Sequence, residues 1–161
     1  MLAWDKPSMK MFYKNISDDF SVFTYNTVGK FLEKIKMYPT AENVYKQAVM
    51  ATNHGEIFYN KMGDLALKNK ELDLTVDCYR KVLEQNPQNR EVMIKLATVL
   101  QTYFPENTDD AIDCYEKLLE FGLDTAQIYY ELGHLYLQKE DKINSISAFK
   151  LAVDNDCENP F

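Results

Sequence analysis

A small residue recurs at Gly29, Gly63, Ala97 and Gly133, at intervals of 34, 34 and 36 residues, each time among the same kinds of neighbour. Four before it stand Tyr25, Tyr59, Met93 and Tyr129, and immediately before it Val28, Met62, Leu96 and Leu132. Three after it stand Leu32, Ala66, Leu100 and Tyr136. Apolar residues at i, i+3, i+4 and i+7 line one face of an α-helix. A period of this length, kept through four copies, constrains the chain to a repeat architecture before any other feature is weighed.

Each copy carries a second stripe. It reads Ala41, Tyr45, Ala48, then Thr75, Tyr79, Val82, then Ala111, Tyr115, Leu118, and finally Ser145, Phe149, Ala152. The 4-then-3 spacing is again helical, so every unit is a pair of amphipathic helices, and neither can hide its stripe without the other. Small residues beside aromatics point to close packing, with rings filling the space that Gly and Ala leave. Pro87, within Gln85-Asn86-Pro87-Gln88-Asn89, marks a stop after the second unit. Two extra residues around Phe104-Pro105-Glu106-Asn107 account for the 36-residue interval, since a turn absorbs length that a helix does not. Thr108 is placed to cap the helix that follows, with Asp109 and Asp110 in its first turn.

Tyr59-x-x-Met62-Gly63-x-x-Ala66, followed by Tyr79-x-x-Val82 and Pro87, resembles the tetratricopeptide repeat. Four copies in register cover 22–55, 56–89, 90–125 and 126–159. The departures are Ala97 for glycine, Thr75 and Ser145 for alanine, and a closing proline kept in one copy. The resemblance implies an all-α solenoid of four helix-turn-helix units in a right-handed superhelix.

Residues 1–21 fall outside the register but keep helical spacing at Met9, Phe12, Tyr13, Ile16 and Phe20, with Ser8 a candidate cap after Pro7. They are expected to form a leading helix packed on the first repeat, with Trp4 available to anchor it or to meet a neighbouring element. At the other end, Asn159-Pro160-Phe161 follows directly on the last repeat. Arrays of this kind need a polar element over their final apolar face, which suggests a piece of a longer array. An uncovered face around Phe149 and Leu151 would then permit self-association through the C-terminal repeat. Asn-Pro-Phe also matches a short endocytic ligand motif, and Asn15-Ile16-Ser17 a glycosylation sequon. Neither carries an assignment at its position.

The 161 residues are 46% apolar and 27% charged, with only five Gly and five Pro, which fits one helical globular domain. No apolar run is long enough to span a bilayer, and the first ten residues lack the pattern of a signal peptide, so an intracellular setting, cytoplasmic or nuclear, is expected. Cys78, Cys114 and Cys157 are odd in number and widely spaced, which suits structural thiols better than a disulfide framework or a zinc site. The only histidines, His54 and His134, belong to different units. With no His-x-x-x-His, Cys-x-x-Cys, phosphate loop or nucleophile elbow, the chain offers no catalytic constellation, and no metal or cofactor is expected.

In tetratricopeptide arrays the first helices line a concave groove that grips peptides or helices of partner proteins. The resemblance therefore points to a protein-interaction scaffold within a larger assembly. Here the face opposite the packing stripe carries Phe23, Asn26, Lys30 and Lys34, then Ile57, Asn60, Lys61 and Lys68. It continues through Ile94 and Lys95 to Tyr130 and His134. Over the first three copies five lysines stand against Glu33, Asp64 and Glu91, a balance of +2 on a chain whose net charge is −7. An ordinary solvated face explains that surplus as well as a groove does. If it is a groove, an acidic peptide or helix with apolar anchors suits it. The lysine and asparagine set with which chaperone-binding members clamp an acidic tail is not reproduced. Asn26 and Lys30 stand in reverse order, and Glu91 replaces a base. A pentatricopeptide RNA reader is the alternative, which Tyr25-Asn26-Thr27 resembles, but the glycine column, Pro87 and the acidic balance oppose it. A passive spacer in a larger complex stays open.

Overall fold

The structure, a computed structural model, describes residues 6–158, with side chains described from 18 to 155. Trp4 and Asn159-Pro160-Phe161 lie outside the described residues, and so does the Cys157 side chain. The described residues form α1 (Lys6–Lys34), α2 (Tyr38–Ala51), α3 (Gly55–Lys68), α4 (Leu72–Gln85), α5 (Arg90–Tyr103), α6 (Thr108–Glu120), α7 (Ala126–Gln138) and α8 (Lys142–Glu158). A 3-10 turn, Pro105–Asn107, precedes α6, and no strand occurs among the described residues. None of the helices is long and apolar enough to cross a membrane.

The chain divides into two compact units, Met1–Gln85 and Asn86–Phe161. In the first, α1 packs on α2, α2 on α3 and α3 on α4; in the second, α5 packs on α6, α6 on α7 and α7 on α8. The second stripe of each copy lies largely where its spacing puts it. Ala41, Tyr45, Ala48, Thr75, Tyr79, Val82, Ala111 and Leu118 are fully buried, and Tyr115, Ser145 and Ala152 nearly so. At the centre of the first unit Phe58 lies against Tyr45, with ring centroids 6.1 Å apart, and edge-on to Tyr25 at 6.3 Å. Ala48, Met62 and Cys78 complete this core, bordered by Val22 and Val49. Burying a side chain the size of Phe58 stabilises by about 1.5–3 kcal/mol, and cutting it to alanine costs about 3–5 kcal/mol.

Three differences from the sequence reading have local causes. The leading segment is not a separate helix: α1 runs unbroken from Lys6 to Lys34 and includes the first helix of the first repeat. From Ser8 to Val28 the sequence holds no glycine or proline, so nothing ends the helix where the repeat register begins. Because α1 is already under way at Ser8, that residue does not start it. Thr108, for its part, does not cap α6. It is the first residue of the helix and buried, and its hydroxyl donates back to the Pro105 carbonyl at 2.7 Å, which fixes the inserted turn from inside. Side-chain caps do close α5, where Asn89 accepts from the Val92 N–H at 3.1 Å, and α7, where Thr125 accepts from Ile128.

Candidate functional site

In the first unit α1 and α3 present neighbouring faces, joined by a buried-edge network. The Tyr45 hydroxyl donates to Glu33 Oε1 at 2.6 Å, and Lys68 Nζ reaches Glu33 Oε2 at 3.2 Å. Burial, and then the Glu33 carboxylate, hold the Tyr45 phenol well above its ordinary range. Lys68, expected as a steering charge, is therefore an internal tie between α1 and α3, although its side chain stays 59% exposed.

The remaining expected residues of this unit divide by exposure. On α1, Phe23 is 66% exposed, and Lys30 and Lys34 are exposed on the same face. Asn26, between them, is half-buried, and its carboxamide oxygen is enclosed with no hydrogen-bond partner among the described residues. On α3, Ile57 is 40% exposed, with Asn60 and Lys61 half-buried beside it. The Thr24 and Thr27 hydroxyls are spent on carbonyls of their own helix, at Phe20 and Phe23. On this face Phe23 and Ile57 project as apolar groups, and Lys30 and Lys34 are exposed.

The second unit holds the other four candidates on two helices. On α5, Ile94 is 38% exposed, while Lys95 is paired with Glu91 at 2.9 Å one turn earlier, which cancels its charge. On α7, Tyr130 and His134 form a three-ring cluster with Phe149 of α8. The Tyr130–His134, His134–Phe149 and Tyr130–Phe149 centroids lie 4.5, 5.2 and 6.0 Å apart, all edge-on. Beside the cluster a cavity of about 390 Å³ opens between α7 and α8, lined by Ala126, Gln127, Tyr130, Phe149, Ala152 and Val153. Tyr130 and His134 thus belong with an apolar, aromatic site rather than with the lysines.

Sequence reasoning missed most of the exposed apolar surface. Phe20, Val28 and Phe31 on α1 and Ile35 just after it are 71, 43, 60 and 47% exposed, and on α8, Ile143, Ile146 and Val153 are 79, 65 and 62% exposed. Phe149, expected to be uncovered, is half-buried in the ring cluster, although Leu151 beside it is exposed as expected. The repeat columns point the other way: they put Val28 in the packing stripe, and the column mates of Val28 and Phe31 in the later copies are buried, whereas on α1 both are exposed.

The family model described as tetratricopeptide repeat matches residues 58–89 and 126–156, the pairs α3–α4 and α7–α8. No curated protein matches the chain. Among solved structures, a crystal structure of MamA shares the fold at a TM-score of 0.72 and 20% identity, over 94% of this chain and 86% of that one. MamA from Desulfovibrio magneticus RS-1, from residue 41 to its end, gives 0.71 and 20%, over 86% and 77%. MamA from AMB-1 gives 0.70 and 20%, over 82% and 71%. At this identity the likeness is one of fold. Neither the matched repeats nor these structures support the pentatricopeptide alternative.

Proposed function

We propose that this chain, built of tetratricopeptide repeats, is a protein-interaction scaffold that grips an acidic peptide or helix of a partner on the face of α1 and α3. The observation that carries the reading is the face of α1 on which Phe23, Lys30 and Lys34 are all exposed, with Ile57 part-exposed on α3. Phe23 and Ile57 supply the apolar contact area from which affinity comes. The lysines steer an acidic partner and fix its direction. Each exposed charge pair contributes only about 0–1 kcal/mol, so the lysines act as a group.

The partner is to be identified by copurification from cells, and its binding then measured against salt. Reversing Lys30, Lys34 and Lys61 to glutamate together should slow association several-fold and remove most of its salt dependence. Phe23→Ala should instead speed dissociation. Affinity and salt response that survive the triple reversal, in a protein of unchanged helicity, would place the binding surface elsewhere on the array.

A further inference from the structure

The repeat columns give each exposed residue of α1 a set of counterparts. Five before the column residue stand Phe58, Val92 and Ile128; one before it, Met62, Leu96 and Leu132; two after it, Leu65, Val99 and Leu135. All nine are at most 4% exposed. On α1 the same columns hold Thr24, Val28 and Phe31, and all three are exposed. A face that later first helices bury is bare on α1.

Inside each unit the buried face meets the second helix of the preceding pair. Phe58 of α3 sits on Tyr45 of α2. In the second unit Tyr136 of α7 donates to Glu116 of α6 at 2.5 Å, and Lys139 of α7 pairs with Asp109 of α6. The second helix of the last pair, α8, shows the receiving half of this interface uncovered. Ile146 is 65% exposed, whereas Val76 and Ile112 in its column are each 7% exposed. The cavity between α7 and α8 is the corresponding seat. Its lining residues Ala126, Phe149, Ala152 and Val153 stand in the columns of Val22, Tyr45, Ala48 and Val49, which surround Phe58 in the first unit.

One further column pair selects the occupant. The positions of the internal ion pair between Lys139 and Asp109 are taken at the two outer faces by Ile35 and Ile143, which are 47% and 79% exposed. Apolar residues thus replace opposite charges on both outer halves at once, so the halves suit each other. We propose that α8 of one copy of this chain receives α1 of a second copy, head to tail, in the geometry of the internal interfaces. Phe20, one turn before Thr24 on the same stripe and 71% exposed, supplies a ring for the cavity where Thr24 is too small. The two surfaces differ, so the contact does not close on itself in a dimer, and assembly continues into longer chains or a ring.

Light scattering or sedimentation of the full chain over a concentration series tests this. The wild type should grow beyond a dimer as concentration rises. Phe31→Glu, which spoils the α1 half, and Ile146→Glu, which spoils the α8 half, should each be monomeric with unchanged circular dichroism. Mixed together, the two variants keep one intact half each and should form a one-to-one complex and nothing larger. Three results would overturn the proposal: a wild type that stays monomeric throughout, one that stops at a dimer, or a variant mixture that fails to pair while the wild type associates.

Discussion

A Cβ atom placed on Gly63 would lie 2.5 Å from Cε1 of Tyr79, so the Tyr79 ring packs directly on the backbone of α3. The relation recurs sixteen residues apart in Gly133 and Phe149, at 2.6 Å, and in Gly29 and Tyr45, where the approach is closer still. In the third copy Ala97 and Tyr115 stand eighteen apart, across the inserted turn, and both are buried.

Gly63→Ala sets two effects against each other. Alanine favours the helix over glycine by about 1 kcal/mol. Forcing a methyl group against a fully buried ring costs about 1–3 kcal/mol. Packing should win, and the thermal midpoint should fall. Adding Tyr79→Leu should recover part of the loss, because the clash is with that ring. A midpoint that is unchanged or raised in Gly63→Ala would mean the ring moves aside at no cost.

The tyrosine hydroxyls follow a rule that links two columns. Where the residue four after the small one is Glu33 or Gln101, Tyr45 or Tyr115 donates to it, at 2.6 and 3.4 Å. Where that position is Leu67, Tyr79 turns to Asp64 instead, at 2.8 Å. Where it is Leu137, the ring is Phe149, which has no hydroxyl to satisfy. A bond to a charged, partly buried acceptor contributes about 1.5–3 kcal/mol. Tyr45→Phe should therefore cost more stability than Lys68→Met, which removes a surface ion pair contributing about 0–1 kcal/mol. Denaturant midpoints of the two variants would reverse that order if the ion pair mattered more.

Much of this was legible in the chain. The columns fixed the second stripe, the helix pairing and the stop before Pro87, because burial repeats with the period; the first stripe holds in the later copies but not at Val28, which is exposed on α1. The candidate face was less legible, since charge depends on neighbours in space. Lys68 and Glu33 lie thirty-five residues apart and meet only because α1 and α3 are adjacent. Lys95 could have been paired with Glu91 from spacing alone. The extent of α1 was not visible either, because a repeat register states where a motif begins and not where a helix does.

The turns within the pairs hold another such feature. Lys36, Lys70 and Glu140 adopt positive φ of 62, 63 and 61°, each seven residues after its column glycine. The following N–H reaches back to close the helix, as from Glu71 to the Ala66 carbonyl at 2.9 Å, the bond pattern glycine usually serves. Gly122, at φ 73°, fills that role after α6. A side chain in this region costs about 1–2 kcal/mol, offset in part by the greater entropy glycine loses on folding. Lys70→Gly should therefore stabilise by about 0.5–1 kcal/mol. A denaturation curve moved the other way would show that the lysine makes a compensating contact.

Stability should also fall in alkali, for a reason the core supplies. Burial first, outweighing the nearby Lys81, pushes the Cys78 thiol from its ordinary 9.0 up to about 11. Burial and then the Glu116 carboxylate push the Tyr136 phenol up to about 12, and burial raises Tyr115. Each group is neutral when protonated, and folding favours that form. Its contribution is complete below the unfolded-state value and is lost as pH rises through the folded one. For Cys78 that window runs from 9.0 to about 11. Unfolding free energy measured by denaturant should hold steady up to the lower limit and decline across the window, and Cys78→Ala should flatten the early part of the decline. The same burial should make Cys78 and Cys114 slow to react with a thiol reagent in the native protein, measured in a Cys157→Ser background. Rapid native modification, together with a stability profile flat across the window, would show that the core around Cys78 opens readily to water.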